Sequence, residues 1–331
     1  MRKSDKRKSD FAKRETFSFK TVSLSLKIPE KFLIRYQEII PDFPLFLKSL
    51  EKKPRLSIRI NPLKVKEEDV LTIIKKYDCE PLPFYKYAFR LKNEKDEISI
   101  GNTLEHFLGY IYVQDIASML PAIVLAPEKY EKVLDLTAAP GSKTTLLSAL
   151  MENTGLVVAN DVNLERIKAL TGNIDRMGVL NCVITNLRGE RFGNLFFEYF
   201  DKVLLDAPCS SEGTISKNYE VFNHWSEFYI NKMSKIQKNL IISAFKSLKK
   251  GGILVYSTCT FAPEENEGVI NFLLQKYPNA YLEEITIHGI RTSPGIAVWR
   301  DFQNEELKKC VRLYPHYNEC EGFFISKIRK I

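Results

Sequence analysis

The sequence lacks the patterns that mark several common protein classes. Its six cysteines include no CxxC pair, and its four histidines include no HExxH motif or other metal-ligand spacing. No apolar run approaches the roughly 18 residues that a membrane-spanning helix needs, and no signal peptide is evident. These absences disfavour a disulfide-stabilised secreted protein, a metal enzyme and an integral membrane protein. We therefore expect a cytoplasmic protein with reduced cysteines, no metal and no membrane contact.

What the sequence has in excess is positive charge. The 331 residues carry a formal net charge of +8, which suggests a polyanionic partner such as nucleic acid. A solvated lysine-rich surface explains the charge equally well. Residues 1–20 hold eight basic and three acidic side chains, so we predict a flexible basic arm over 1–20. It either contacts phosphates or is a tail without a role.

Residues 21–110 show the pattern of a small mixed α/β module. Apolar and polar residues alternate over 56–63, as in a strand, and residues 67–77 have helical spacing. Shorter strands are predicted over 87–91 and 98–100, after a helical stretch over 28–50 that prolines interrupt. We predict an RNA-binding module whose basic residues are Arg55, Arg59, Lys64, Lys75, Lys76, Lys86 and Lys92.

From residue 131 onward, strands and helices alternate. Strands are predicted over 133–136, 156–160, 182–185, 202–206 and 253–257, with a long helix over 226–249 that Gly251 and Gly252 follow. A helix over 264–277, a late strand over 281–285 and a closing hairpin (313–315 with 322–327) complete the chain. This alternation of strands and helices predicts a doubly wound, mostly parallel α/β sheet with an antiparallel end, within a catalytic domain over 111–331.

The stretch 132–145, KVLDLTAAPGSKTT, reads as a strand, a turn of small residues and a helix start. Small side chains let the backbone approach a nucleotide-type cofactor at a helix N-terminus. The turn is neither GxGxxG nor GxxxxGK[ST], which disfavours dinucleotides and nucleoside triphosphates. An ordinary strand-to-helix turn is the alternative. Asp161, after the next strand, is placed to accept hydrogen bonds from ribose hydroxyls or to cap the following helix.

Two cysteines follow two predicted strands at matching positions. Cys209 comes just after the strand over 202–206, and Cys259 just after the strand over 253–257. If these strands are neighbours, their ends lie about 4.8 Å apart and both thiols can reach one substrate base. A single cysteine would be better explained as a small buried apolar residue. Two of them at equivalent strand ends favour chemistry.

Several motifs together resemble one family. The segments DLTAAPGSKTT (135–145), LLDAPCSSEGT (204–214) and YSTCTFAPEENE (256–267) resemble the motifs of the RNA 5-methylcytosine methyltransferases of the Nop/Sun family. GYIYVQDIASML (109–120) and RLYPHYNECEGFFISKIRK (312–330) are similar to the segments that precede and close its catalytic domain. The resemblance implies a Rossmann-like methyltransferase domain that transfers a methyl group from S-adenosyl-L-methionine to carbon 5 of cytosine in RNA.

The resemblance also implies residue roles. Cys259 is the thiol that attacks carbon 6 of the base, and Cys209 assists proton removal and product release. Asp206 hydrogen-bonds or protonates the base near N3, and Lys143 helps Cys259 to ionise or orients the substrate. The implied cofactor contacts are Ala138, Ala139, Pro140, Gly141, Lys143, Asp161, Arg166 and Asp206.

The chain departs from the family pattern at three positions. Thr137 stands where cysteine is common, and Ser142 replaces a glycine; both replacements are small. Arg188 stands where the family has an aspartate that contacts the adenine amino group, and arginine cannot accept that hydrogen bond. Glu190 or a backbone carbonyl is the candidate substitute. Phe222, His224 and Trp225 either line the approach of a flipped base or pack helices.

The compact form is similar to archaeal tRNA members of the family, so tRNA is the favoured substrate. Ribosomal RNA stays open, because rRNA members share every catalytic motif. An inactive RNA-binding assembly factor is a second hypothesis, but it gives no chemical reason for Cys209, Cys259, Asp206 and Lys143 to be present together. A DNA methyltransferase is disfavoured because the chain lacks a DPPY-like tetrapeptide. We expect a monomer.

Overall fold

The computed structural model describes residues 28–92 and 100–331. The predicted basic arm over 1–20 lies outside the described residues. So does most of the strand predicted over 98–100, and Ile100 itself begins a short 3-10 turn.

Two N-terminal helices, α1 (Glu30–Gln37) and α2 (Phe43–Leu50), form where the sequence shows helical spacing between prolines. Their buried faces include Phe32 and Phe46, which form one apolar cluster with Phe261 from the C-terminal half of the chain. Burial of aromatic side chains contributes more to such an interface than any local helix propensity. The two helices are therefore packed against the C-terminal half of the chain.

A small antiparallel sheet follows, with two helices. Its elements are β1 (Ser57–Ile60), α3 (Glu67–Lys76), β2 (Cys79–Pro81), β3 (Ala88–Leu91), α4 (Leu104–Phe107) and β4 (Ile111–Val113). The strands lie in the order β2-β3-β1-β4. Strand β4 pairs with β1 although it lies beyond residue 110, where we predicted the small module to end.

Arg59, which we grouped with the basic surface of this module, is fully buried instead. Its guanidinium donates to Thr145 Oγ1 at 2.8 Å and to the carbonyl oxygen of Ser142 at 3.2 Å. Burial lowers the pKa of Arg59 to about 10. Both faces of β1 are covered, so the alternating pattern did not leave this side chain in solvent. Arg59 links the small sheet to the helix that begins at Ser142.

The large domain contains the remaining elements, in chain order. They are α5 (Ile116–Leu125), β5 (Lys132–Asp135), α6 (Ser142–Leu150), β6 (Leu156–Asn160), α7 (Leu164–Met177), β7 (Cys182–Thr185), α8 (Phe192–Leu195), β8 (Phe200–Asp206), α9 (Val221–His224), α10 (Glu227–Ser247), β9 (Leu248–Thr258), α11 (Glu267–Lys276), β10 (Ala280–Glu283), β11 (Ser293–Pro294), β12 (Val298–Trp299), β13 (Phe302–Gln303), β14 (Val311–Leu313), α12 (Pro315–Asn318) and β15 (Phe323–Lys330).

The central sheet confirms the predicted doubly wound α/β fold. Strands β7, β6, β5, β8 and β9 are neighbours in that order and run parallel. Strand β15 then pairs antiparallel with β9, and both β14 and β10 pair antiparallel with β15. Helices α10 and α11 cover one face of the sheet through a large apolar cluster, and α5 and α6 cover the other. Both faces are buried, as a parallel sheet requires.

Local differences from the predicted elements have simple causes. The long helix ends at Ser247 rather than at residue 249, and the following strand starts at once, because Leu248 pairs with Phe200 across a register shift. The predicted hairpin strands do pair, but Pro315 begins a short helix between them. Proline is favoured at the first helical position, where it gives up no backbone hydrogen bond.

Candidate active site

The two cysteines that the sequence singled out lie side by side. Strands β8 and β9 are parallel neighbours, with Asp206 opposite Ser257 in the register. The loops that follow bring the sulfurs of Cys209 and Cys259 to 3.2 Å from each other. This hydrogen bond, together with burial, raises the pKa of the Cys209 thiol well above its ordinary value. The two sulfurs therefore lie within hydrogen-bonding distance of each other, and either thiol can be the donor.

An ion pair between a buried lysine and a half-buried aspartate lies at the same edge of the sheet. Lys143 Nζ is 2.6 Å from Asp206 Oδ2 and donates to Ser118 Oγ at 3.0 Å. The other carboxylate oxygen of Asp206 accepts from Ser257 Oγ at 2.7 Å. Burial alone would lower the pKa of Lys143, but Asp206, Asp135 and Cys259 outweigh it and raise the pKa. The ammonium is therefore charged at neutral pH.

A cavity of about 470 Å³ opens beside these groups. Four of the residues predicted to bind the cofactor line it, together with both predicted cysteines: Ala139, Asp161, Arg166, Asp206, Cys209 and Cys259. The structure thus brings the predicted cofactor turn and the two thiols to one cavity. Lys143 does not line it but reaches it through Asp206.

Asp161 is not the helix cap. Asn163 caps α7, because its side-chain oxygen accepts from the amides of Glu165 and Arg166. The Asp161 carboxylate accepts instead from the amide of Ala139 at 3.2 Å and from the amide of Asn163 at 2.9 Å. These bonds fix a carboxylate at the end of β6, facing the cavity, where it can accept hydrogen bonds from a diol.

The other predicted cofactor residues shape the turn. Ala138 is buried and its amide donates to the Asn160 carbonyl at 2.7 Å, and Pro140 follows it in the loop. Gly141 precedes α6 with φ +101, and a Cβ there would lie 2.9 Å from a methyl group of Leu170. Only glycine adopts this conformation without strain. None of these three lines the cavity.

One wall of the cavity was missed by sequence reasoning. Tyr229, Met233, Ile236 and Leu240 line it from α10. Their spacing of four, three and four residues places them on one helix face. That periodicity was visible in the sequence, but it did not show that this face looks onto the carboxyl ends of β8 and β9.

Arg188, which departs from the pattern of the resembled family, lies at the cavity next to the carboxylate that we named as the candidate substitute. Arg188 and Glu190 both line the cavity. The Arg188 side chain is 74% exposed and lies 3.6 Å from a Glu190 carboxylate oxygen. A carboxylate is therefore present two residues after the position where the family has an aspartate.

The aromatic residues after β8 pack helices. Phe222 and Trp225 meet the Phe32 ring edge-on, at centroid distances of 5.2 and 5.5 Å. His224 is exposed. None of the three lines the cavity. Of the two roles that we considered for them, helix packing is therefore the one that Phe222 and Trp225 have.

Within residues 28–92 and 100–331, no helix is long and apolar enough to cross a membrane. The same residues contain no group of three or more His, Cys, Asp or Glu side chains that could hold a metal ion.

Comparison with known proteins identifies two matching family profiles. The profile described as 16S rRNA methyltransferase RsmB/F matches residues 122–329. The profile described as the N-terminal domain of 16S rRNA methyltransferase RsmF matches residues 28–116. Together they span both the small sheet and the large domain.

Curated relatives and a solved structure agree with these profiles. The chain is 42% identical over 307 residues to a tRNA (cytosine(49)-C(5))-methyltransferase of Pyrococcus abyssi, covering 92% of this chain and 97% of that protein. It is 38% identical to ribosomal RNA small subunit methyltransferase F of Vibrio parahaemolyticus, covering 92% of this chain but only 63% of that relative. A methyltransferase homologue from Pyrococcus horikoshii superposes with a TM-score of 0.82 at 35% identity, covering 94% and 98% of the two chains.

Proposed function

This chain belongs to the RsmB/F family of RNA methyltransferases, and on that premise we propose that it methylates carbon 5 of a cytosine in RNA. The observation that carries the proposal is the pair of sulfurs 3.2 Å apart at the cavity that Asp161 and Asp206 also line. Cytosine carbon 5 is a weak nucleophile, so its methylation calls for a thiol that first adds to carbon 6.

The cavity fits S-adenosylmethionine by the chemistry of its lining. The Asp161 carboxylate suits the ribose hydroxyls, and the apolar face of α10 with Leu136 suits the adenine ring. Arg166 donates to the Ala139 carbonyl and thereby holds the turn against α7. When bound, this cofactor supplies an electrophilic methyl group on a sulfonium.

Cys259 is the proposed nucleophile. Its thiolate forms a bond to carbon 6, and the π bond between carbon 5 and carbon 6 breaks. The displaced electron pair makes carbon 5 nucleophilic, so that it would take the methyl group with S-adenosylhomocysteine as the leaving group. The Lys143 ammonium is close enough for Cys259 to raise its pKa, so it stabilises negative charge on that sulfur. Asp206, held by Lys143 and Ser257, hydrogen-bonds the base near N3.

Cys209 is proposed to complete the reaction. After methylation, carbon 5 carries both the methyl group and its original hydrogen. The Cys209 sulfur, after giving its own proton to solvent, takes that proton from carbon 5; the electron pair of the broken carbon–hydrogen bond restores the double bond, and the bond between carbon 6 and Cys259 breaks to release the Cys259 thiolate. With the two sulfurs 3.2 Å apart, one base can contact both in turn.

We favour tRNA as the substrate, because the identity to the Pyrococcus abyssi tRNA enzyme is higher than that to the Vibrio parahaemolyticus rRNA enzyme. Small-subunit ribosomal RNA is the second candidate, favoured by the descriptions of both matching profiles. The basic residues of the small module that stay at the surface, such as Lys75 and Lys86, are proposed to contact phosphates. A cytoplasmic location and a monomeric state stay predictions.

The test is transfer of labelled methyl from S-adenosylmethionine to tRNA, 16S rRNA and DNA, followed by bisulfite sequencing of the product. We expect protected cytosines in tRNA. Label in rRNA alone would mean that the substrate is rRNA and not tRNA. Label in DNA alone would overturn the proposal. RNA binding without transfer would favour the inactive assembly factor.

Two variants test the division of roles. Cys259→Ala should abolish transfer, because the bond to carbon 6 cannot form. Cys209→Ala should trap a covalent protein–RNA adduct, visible as a slow band on a denaturing gel. Cys182→Ala, which removes a thiol from β7, is the matched control and should behave as wild type. An adduct trapped by Cys259→Ala but not by Cys209→Ala would reverse the two roles.

A further inference from the structure

A fully buried carboxylate, Glu212, lies three residues after Cys209. One oxygen, Oε2, accepts from Thr260 Oγ1 at 2.8 Å and from the Phe261 amide at 3.0 Å. The other, Oε1, accepts from Trp225 Nε1 at 2.5 Å, and the Tyr36 hydroxyl lies 2.6 Å from both oxygens. In the part of the chain that the structure describes, no Lys or Arg side chain forms an ion pair with it. Hydrogen bonds therefore hold the carboxylate, and the Arg35 guanidinium interacts with it only at longer range.

The donors come from separate parts of the chain. Thr260 and Phe261 follow the nucleophile Cys259 directly, and Tyr36 lies on α1. A buried carboxylate without an ion-pair partner depends on all of its donors, because losing one leaves it partly unsatisfied. Glu212 therefore fixes the loop after Cys209 to the loop after Cys259, with α1 behind both.

Other bonds join the same two loops. Ser210 Oγ lies 2.7 Å from Thr260 Oγ1, and the Gly213 amide donates to the Cys259 carbonyl at 2.8 Å. Thr260 Oγ1 contacts both Ser210 and Glu212, so it connects the two sets of bonds. The separation of the two sulfurs is thus held by a network that surrounds Glu212.

We propose that Glu212 is a positioning residue that keeps Cys209 at the base while Cys259 is bound to it. The inference rests on the proposed function. Addition to carbon 6 needs only Cys259, whereas proton removal and release need both sulfurs at one base. If the two loops are loosened, proton removal and release slow more than the addition to carbon 6 does. The covalent adduct therefore accumulates.

The chemistry of the site makes Glu212→Gln a sharp perturbation. Glutamine has nearly the same shape, but its amide nitrogen donates and cannot accept. In either orientation it opposes an N–H donor, from Trp225 or from Phe261. Tyr36→Phe is milder, since it removes one of the four donors and leaves the carboxylate. A matched control is Tyr77→Phe. The Tyr77 hydroxyl, at the end of α3, donates to Glu105 of α4 at 2.6 Å, and neither residue belongs to the loops that carry the two cysteines.

The experiment measures, in one single-turnover reaction with labelled RNA, the covalent adduct on a denaturing gel and the released methylated RNA. We expect Glu212→Gln to slow release roughly tenfold or more, the loss typical of a hydrogen-bonded charge, while adduct formation changes less than threefold. Tyr36→Phe should shift the ratio of adduct to product in the same direction by a smaller factor, and Tyr77→Phe should match wild type.

An equal loss of adduct and product in Glu212→Gln would indicate a purely structural role and overturn the inference, as would an unchanged ratio. If Glu212→Gln does not fold, the ratio in Tyr36→Phe decides the question alone. Failure of the wild-type protein to methylate any RNA would instead refute the proposed function, so the two failures are distinguishable.

Discussion

Replacing Glu265 with glutamine should change how the stability of the protein depends on pH. Glu265 is fully buried, and one carboxyl oxygen accepts from the Ser210 amide at 3.0 Å and from Gln237 Nε2 at 2.8 Å. Burial, followed by repulsion from the nearby Glu212 carboxylate, raises its pKa from 4.5 to about 8. At pH 7 the folded protein therefore holds this carboxyl neutral, whereas the unfolded chain releases its proton.

The sign and size of the effect follow from proton linkage. Between pH 4.5 and about 8 the folded state binds a proton that the unfolded state does not, so the free energy of unfolding decreases as pH rises through this window. The slope is at most about 1.4 kcal/mol per pH unit, which gives an upper limit of about 5 kcal/mol over the window. Below the window both states are protonated, and above it both are charged. Glutamine cannot ionise, so this contribution is absent from Glu265→Gln.

The assay is urea denaturation of wild type and Glu265→Gln at pH 5, 6, 7 and 8. The stability of the variant relative to wild type should rise steadily with pH. Glu68→Gln, which changes an exposed carboxyl on α3, is the control and should leave the wild-type dependence unchanged. Parallel curves for wild type and Glu265→Gln would refute the reasoning, because they would mean that Glu265 is ionised in the folded protein.

Two further predictions concern the cavity. Asp161→Ala should raise the Kd for S-adenosylmethionine more than about tenfold in calorimetry, because the ribose hydroxyls lose a charged acceptor; an unchanged Kd would remove Asp161 from the cofactor site. Hydrogen peroxide should oxidise the thiols of Cys209 and Cys259, which are 3.2 Å apart, to a disulfide with release of two waters. Methylation should then be lost and return with dithiothreitol, and a mixed set of other disulfides in mass spectrometry would contradict the pairing.

The cysteine pair could be predicted from the sequence, because the positions of two residues at the ends of neighbouring parallel strands follow from the strands themselves. Cys209 and Cys259 each follow the carboxyl end of an apolar strand, and such ends meet at one edge when the strands are neighbours. Asp161 was predicted by the same reasoning at the end of β6, which lies two strands from β8 in the sheet. Its possible role as a cap was settled only by Asn163, whose side chain takes that position.

Contacts between distant segments could not be read from the sequence. Tyr36 and Glu212 are 176 residues apart, and Arg59 and Thr145 are 86 apart. Neither pair belongs to a periodic pattern, because each depends on how one packed layer covers another. Arg59 is an example. The alternation of apolar and polar residues along β1 would place its side chain in solvent, but a second layer covers it, and it connects the small sheet to α6.

The environment of the two thiols supplies a physical reason for the different roles proposed for them. The hydrogen bond with Cys259 is the largest cause of the raised pKa of Cys209, ahead of burial. In the proposed reaction, the Cys259 sulfur becomes bonded to carbon 6 of the base, and this hydrogen bond between the two thiols is lost. We therefore expect Cys209 to be better suited to act as a base after the adduct has formed than before it. The proposed order of addition first and proton removal second follows from this contact between the two sulfurs.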